Sequence, residues 1–214
     1  MEHFHQEKMV SETTAIFAIP PLIVCGPSGA GKTAVKNALM ARAPDRFGFS
    51  ISITTRQKRP NEIDGKDYFF LTHEEFCDAA RSNQIFEYQE VYKGVFYGTL
   101  NSEITRIGNE GKTPLLDIDV LGAIAIIDRL GNNNVFAVAI SAPLHKLEAS
   151  IIARQQDSKE RIRTRMEKAP TELQLIKDKC DWFTLILPRK ENAIDGMVDH
   201  ILSLYDTLYL QRAS

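Results

Sequence analysis

The chain has 214 residues, with 26 basic against 28 acidic side chains and a formal net charge of −2. That length suits one domain with room for an inserted lobe, and it is ample for a core. So balanced a charge excludes a general nucleic-acid binder, whose affinity rests on neutralising many phosphates, and makes any anion site a local one.

Residues 1–19 carry Glu2, Glu7 and Glu12 but no arginine, the wrong pattern for a mitochondrial transit peptide, and read as a poorly ordered extension. The apolar stretch AIFAIPPLIVC is too short to span a bilayer and is split by Pro20 and Pro21. LIVC (22–25) predicts a short buried strand. TAVKNALMARA predicts a helix through Val35, Leu39 and Ala43 that stops before Pro44. FSISIT (49–54) alternates like a strand, and Thr72 to Glu75 has the capping-box form that should start a helix. IFEYQEVYKGVFYGT is rich in β-formers around Lys93-Gly94 and predicts a hairpin.

The second half alternates more regularly. PLLDID (114–119) predicts a buried strand, followed by a helix over VLGAIAIIDRL. VFAVAI (135–140) is a further strand, followed by helical PLHKLEASIIAR and by charged, helical SKERIRTRMEKA. DWFTLIL closes the strands ahead of a C-terminal helix. Strands and helices in this alternation predict an α/β fold with a mostly parallel sheet, and the hairpin-rich 50–100 region predicts a small antiparallel lobe.

Cys25, Cys77 and Cys180 are odd in number and far apart, which points to a reduced intracellular compartment. The five histidines form no pair or Cys/His cluster, so no metal site built from protein ligands is expected. GPSGAGKT, which runs Gly26, Pro27, Ser28, Gly29, Ala30, Gly31, Lys32, Thr33, satisfies G-x-x-x-x-G-K-[ST] between a predicted strand and a predicted helix. The glycines let backbone N–H groups turn inward around a phosphate, and the helix N-terminus favours the anion. Lys32 reaches the β- and γ-phosphates in such a loop, and the Thr33 hydroxyl ligates Mg²⁺. Unrelated ATPases, GTPases and kinases share this pattern. A second anion site is suggested by TTRQKRPNEIDGKDYFF (54–70), which places Arg56, Lys58 and Arg59 within four positions of a loop. Asp117 and Asp119 fall at the C-terminal end of a buried strand, the end that faces the ligand crevice in open α/β sheets.

With FGFSISITTR ahead of it, the basic stretch closely resembles the GMP-binding segment of guanylate kinases. GPSGAGKT, IFEYQEVYKGVFYGT and LLDIDVLG match that family in order and spacing, and the resemblance runs from about Leu22 to the C-terminal helix. It implies a P-loop NTPase-type three-layer fold in residues 20–214, with a parallel core (20–50 and 103–214), a GMP-binding lobe of antiparallel strands (about 51–102) and a helical lid (about 145–170). It implies ATP-dependent phosphorylation of GMP and dGMP in the cytoplasm, with Mg²⁺, and with nucleotides rather than nucleic acid or membrane as partners. Arg56, Arg59, Tyr68 and Tyr97 would hold the acceptor phosphate, a task suited to bidentate guanidinium groups. Glu87 and Asp119 would accept from guanine N1–H and its exocyclic amine, with hydroxyls from Ser52 and Thr99. Adenine lacks N1–H, and the carboxylates left unpaired would discriminate by roughly 10⁴-fold. Lys32, Arg154 and Arg165 would neutralise the transferring phosphoryl group, with Asp117 near Mg²⁺ through water.

Other assignments stay open at this level. Glu87 in a hairpin is equally compatible with a solvent-facing carboxylate, and Tyr68 and Tyr97 with simple sheet packing. On a helix from Ser158, Arg161, Arg165 and Lys168 share one face, with Ile162, Met166 and Ala169 on the next, and Arg161, Arg163 and Lys168 read as solvated. The chain also departs from the family. Ala153-Arg154-Gln155 replaces the glycine-flanked lid arginine, Leu121 replaces a polar residue, and Ile53 replaces a serine. The asparagine expected at adenine falls near Ile186. The competing readings are a related kinase with another acceptor, such as ribose 1,5-bisphosphate or another nucleoside monophosphate, and a non-catalytic interaction module of the same fold.

Overall fold

The computed structural model describes residues 20–153, 158–189 and 193–210, so the predicted extension 1–19 and the lid residue Arg154 lie outside the described residues. Leu22–Cys25 forms β1, in which all four residues are fully buried. Its alternation assigns each side chain to one of two cores. Leu22 and Val24 pack with Val35 and Leu39 of α1 (Lys32–Arg42), and with Met197, Val198 and Ile201 of the last α-helix, Ile194–Tyr205. Ile23 and Cys25 pack on the other face, against Val120, Ala123, Ile126 and Ile127 of helix Val120–Leu130. A strand with apolar residues on both faces requires cover on both, and a three-layer α/β/α arrangement supplies it.

β2 (Phe47–Phe49), β7 (Thr113–Ile118), β1, β8 (Phe136–Ser141) and β9 (Leu185–Pro188) make a wholly parallel sheet in that spatial order. The chain lays strands on one side of β1 and then crosses to the other, so the order reverses beside β1. The crevice at the C-terminal ends of its strands is where such sheets take ligands. The second sheet orders as β4-β3-β6-β5, from β3 (Ser52–Thr54), β4 (Phe69–Phe70), β5 (Ile85–Tyr92) and β6 (Val95–Leu100). The predicted hairpin is present, and the two-residue Lys93-Gly94 turn places Gly94 at φ 73°, where a glycine costs least. The lobe is mixed rather than antiparallel throughout, since β3 and β4 run parallel.

Several sequence-based boundaries shift. FSISIT is two strands in two sheets, because the ladder breaks at Ser50 and Ile51. Ser50 N–H still donates to Leu115 O of the core sheet (3.0 Å), whereas Ile51 N–H donates to the Glu103 carboxylate (2.9 Å). Glu103 belongs to α3 (Asn101–Asn109), a helix the sequence reading does not assign, whose Ile104 and Ile107 are buried one turn apart. The helix predicted to end at Ala169 continues as α6, Lys159–Asp178, through Pro170. Buried Ala169 and Ile176 on either side of that proline hold the missing turn together. DWFTLIL contributes only Leu185 onward to β9, its start being a 3₁₀ turn over Cys180–Trp182. The remaining α-helices among the described residues are α2 (His73–Arg81), α4 (Val120–Leu130), α5 (Leu144–Ala153) and α7 (Ile194–Tyr205). Among the described residues, no helix is long and apolar enough to cross a membrane.

Candidate active site

One cleft joins the end of β1 to the small lobe. Gly26, Ser28, Gly29, Gly31, Lys32 and Thr33 line its floor. The loop is folded around its own lysine. Lys32 Nζ donates to Gly26 O at 2.8 Å and to Pro27 O at 3.3 Å, holding the ammonium over the turn. Gly29 sits at φ 85°, and a Cβ there would lie 2.6 Å from the Leu147 carbonyl oxygen, so both conformation and space require glycine. Pro27 and Ala30 do not line the cleft. Pro27 O accepts from Ala30 N–H (3.1 Å), and Ala30 is buried in the core beneath.

The Thr33 hydroxyl donates to Asp117 Oδ2 at 3.2 Å. This places a hydroxyl and a carboxylate, both hard oxygen donors, side by side at the first turn of α1, a donor set that fits Mg²⁺. Among the described residues, no group of three or more His, Cys, Asp or Glu side chains could hold a metal, so the remaining ligands of an ion here would be phosphate and water oxygens.

The lobe supplies the opposite wall. Ser52, Arg56, Arg59, Tyr68, Glu87 and Tyr97 all line the cleft, as does Asp119 from the core side. Register explains the grouping, for Ser52 pairs with Thr99 and Thr99 with Glu87, which sets three residues abreast across β3, β6 and β5. Arg56 is buried, with its Nε donating to the Tyr97 hydroxyl at 3.0 Å and its guanidinium 5.3 Å from the Tyr68 ring. Tyr68 and Tyr97 meet edge to face at 5.8 Å. Glu62 completes this group and was not singled out by sequence. It takes Arg56 in a two-pronged pair (2.9 and 2.7 Å) and accepts from Arg59 N–H at 2.8 Å. Burial alone would raise the Glu62 pKa, but the hydrogen bonds from Arg56 and Arg59 hold it below the usual carboxylate range. The only signal in sequence was its place three residues after Arg59.

Glu87 faces the cleft rather than solvent. Its Oε1 accepts from the Thr99 hydroxyl at 2.9 Å, and Thr99, 1% exposed, supports the carboxylate without lining the cleft itself. Asp119 caps α4, accepting from Gly122 N–H at 2.7 Å. A Cβ added to Gly122 would lie 3.1 Å from Glu87 Oε2 and 3.2 Å from Asp119 Oδ1, so the two carboxylates converge over this glycine. Withdrawal from water pushes Glu87 up to about 7. The Thr99 hydrogen bond opposes this, and the charge on Asp119 adds to it.

The third wall is one face of α6, where Arg165, Lys168 and Glu172 follow at helical spacing. Arg165 donates to the Ser28 hydroxyl. Lys168, read from sequence as solvated, instead lies 4.8 Å over the Tyr92 ring and lines the cleft. Arg163 does pair on the surface, with Glu167. Glu172 lies beyond Pro170, past the end of the helix the sequence predicts, so the sequence does not set it on this face. Burial lifts it to about 7, opposed by Lys32 and reinforced by Asp119. Of the departures, Ile53 is fully buried in the lobe and Leu121 is 41% exposed. Ile186 lies in mid-strand, paired with Ala139. The end of β9 nearest the phosphate loop is instead Pro188, followed by Arg189, whose guanidinium donates to Gly29 O at 2.7 Å.

A phosphate loop at the switch point of a parallel sheet, opposed by a lobe with its own cationic pocket and a pair of carboxylates, defines a P-loop kinase that phosphorylates a small nucleotide. The guanylate kinase family model matches residues 19–207. The guanylate kinase of Lactobacillus johnsonii is 36% identical over 190 residues, covering 89% of each chain. That of Thermotoga maritima is 38% identical over 181 residues, covering 85% of each. The crystal structure of guanylate kinase from Anaplasma phagocytophilum superposes with a TM-score of 0.65 at 25% identity, over 88% of this chain and 85% of that one. This chain belongs to the guanylate kinase family.

Proposed function

We propose that this protein transfers the γ-phosphoryl group of ATP to GMP and dGMP. The reading is carried by one observation. A complete phosphate loop and a cluster of guanidinium, phenol and carboxylate groups face each other across one cleft.

Lys32 and the loop N–H groups hold the β- and γ-phosphates of ATP. Arg56, Arg59, Tyr68 and Tyr97 hold the acceptor phosphate, with Glu62 orienting both arginines. Glu87 and Asp119 accept from the guanine edge with Ser52 beside them, and Thr99 holds the Glu87 carboxylate from behind. Thr33, and Asp117 through water, would hold Mg²⁺, which would supply charge neutralisation at the phosphates. The acceptor is already an anionic oxygen, so no side chain needs to remove a proton. Catalysis rests on in-line positioning and on the charges of Lys32, Arg165 and, from the family resemblance, Arg154. The three free cysteines support a reducing, cytoplasmic setting.

The test is ADP formation from MgATP with GMP, dGMP, AMP, UMP, dTMP and ribose 1,5-bisphosphate in parallel. Activity confined to GMP and dGMP is expected. Turnover with another acceptor would move the roles of Glu87 and Asp119, and silence with all six from folded protein would favour an interaction module. Lys32→Ala should lower turnover by about 10³-fold or more while GMP still binds in calorimetry.

A further inference from the structure

We infer that Tyr92 is a positioning residue that couples the acceptor lobe to Arg165 and Lys168 on α6, a role that rests on the acceptor and donor sites proposed above. Along β5, Glu87, Gln89 and Val91 line the cleft in strict alternation, and the next residue should point away. Tyr92 lines it nonetheless. The pairing slips by one residue between Glu90, opposite Phe96, and Tyr92, opposite Val95. Such a bulge re-aims the side chain that follows it. The result is an aromatic face turned toward α6, with the Lys168 ammonium 4.8 Å and the Arg165 guanidinium 6.0 Å from the ring centroid.

Arg165 also donates to Ser28 of the phosphate loop. One side chain of α6 therefore touches both substrate-binding bodies, and Tyr92 is its contact on the lobe side. Glu87, which reads the acceptor base, is on the same strand as Tyr92. Fixing the lobe around GMP fixes the ring, and the ring fixes the cations that face the donor phosphates. Removing the ring's quadrupole takes away that attraction.

The experiment measures the affinity of a non-hydrolysable ATP analogue with Mg²⁺ by calorimetry, with and without saturating GMP. It compares wild type, Tyr92→Phe and Tyr92→Leu. GMP should tighten analogue binding in wild type and in Tyr92→Phe, which keeps the ring. In Tyr92→Leu this enhancement should shrink by about 2- to 30-fold, the range for loss of a cation–π contact. The affinity of each protein for GMP alone should remain similar, which separates coupling from a damaged lobe. Full coupling in Tyr92→Leu, or equal loss in Tyr92→Phe, would overturn the assignment to the ring. A wild type that binds the analogue but not GMP would overturn the acceptor reading and Tyr92's role with it.

Discussion

Glu87 is asked to do something its surroundings resist. The guanine N1–H bond proposed for Glu87 is strongest to an ionised carboxylate, yet burial and the neighbouring Asp119 lift this carboxyl to about 7. A carboxyl titrating near 7 is about half protonated at neutrality, and binding of its ionised form would release that share of a proton. GMP affinity should therefore fall as pH drops below 7, by up to about tenfold per pH unit. Calorimetric titrations between pH 8 and pH 6 would show the slope, and Glu87→Gln should bind weakly with the slope gone. Folding is linked with the opposite sign. A carboxyl whose folded pKa is raised costs nothing while protonated in both states, destabilises as pH rises from the unfolded value to about 7, and keeps that full penalty above it. Glu87→Gln should accordingly gain stability over wild type at pH 8 relative to pH 5. At this scale much of the site was legible. Lys32 and Arg56 stand out by type and spacing, whereas Glu87 is named only through the family resemblance. Glu62 and Glu172 do not stand out, since a carboxylate beside arginines or on a charged helix looks like solvated decoration until its neighbours are in place.

Elements with a local signal were read well, and those decided by tertiary contacts were not. Thr72 and Glu75 form the reciprocal box predicted. Thr72 Oγ1 accepts from Glu75 N–H at 3.2 Å, and Glu75 Oε2 accepts from Thr72 N–H at 2.7 Å. Thr72→Ala should cost about 1 kcal/mol and lower the Tm of thermal unfolding by about 2–4 °C, with GMP turnover unchanged because α2 is outside the cleft. The split of FSISIT could not be foreseen, because it is made by a carboxylate fifty-two residues away, Glu103 accepting from Ile51 N–H. Nor could the passage of α6 through Pro170, which the rule for proline forbids and burial of Ala169 and Ile176 outweighs. The slip before Tyr92 belongs to the same group, for alternation in sequence carries no mark of a bulge.

Across the whole molecule, the fold gathers charges from distant parts of the chain into one space: Lys32 from α1, Asp119 from the end of β7, Glu172 from α6. Lys32 is the main charge restraining the rise of Glu172 toward about 7. A bound triphosphate claims that ammonium and adds negative charge, so the pKa of Glu172 must climb further. MgATP binding at pH 7 should take up a fraction of a proton, and GMP binding should release about half of one from Glu87. Calorimetry in buffers of different ionisation enthalpy reads both signs, and Glu172→Gln should remove the uptake while leaving the release. The break at Ser50–Ile51 adds a mechanical consequence. It is a short covalent link between the two sheets, and Ser52, Thr99 and Glu87 stand in a row beside it. Tyr92 is five residues farther along β5, about 17 Å away at about 3.4 Å per residue. A rotation of about 10° at the break would sweep Tyr92 through about 3 Å. Ser52 and Glu87, proposed above to meet the base, would move far less, so a small turn of the lobe would be felt mainly at its Tyr92 end.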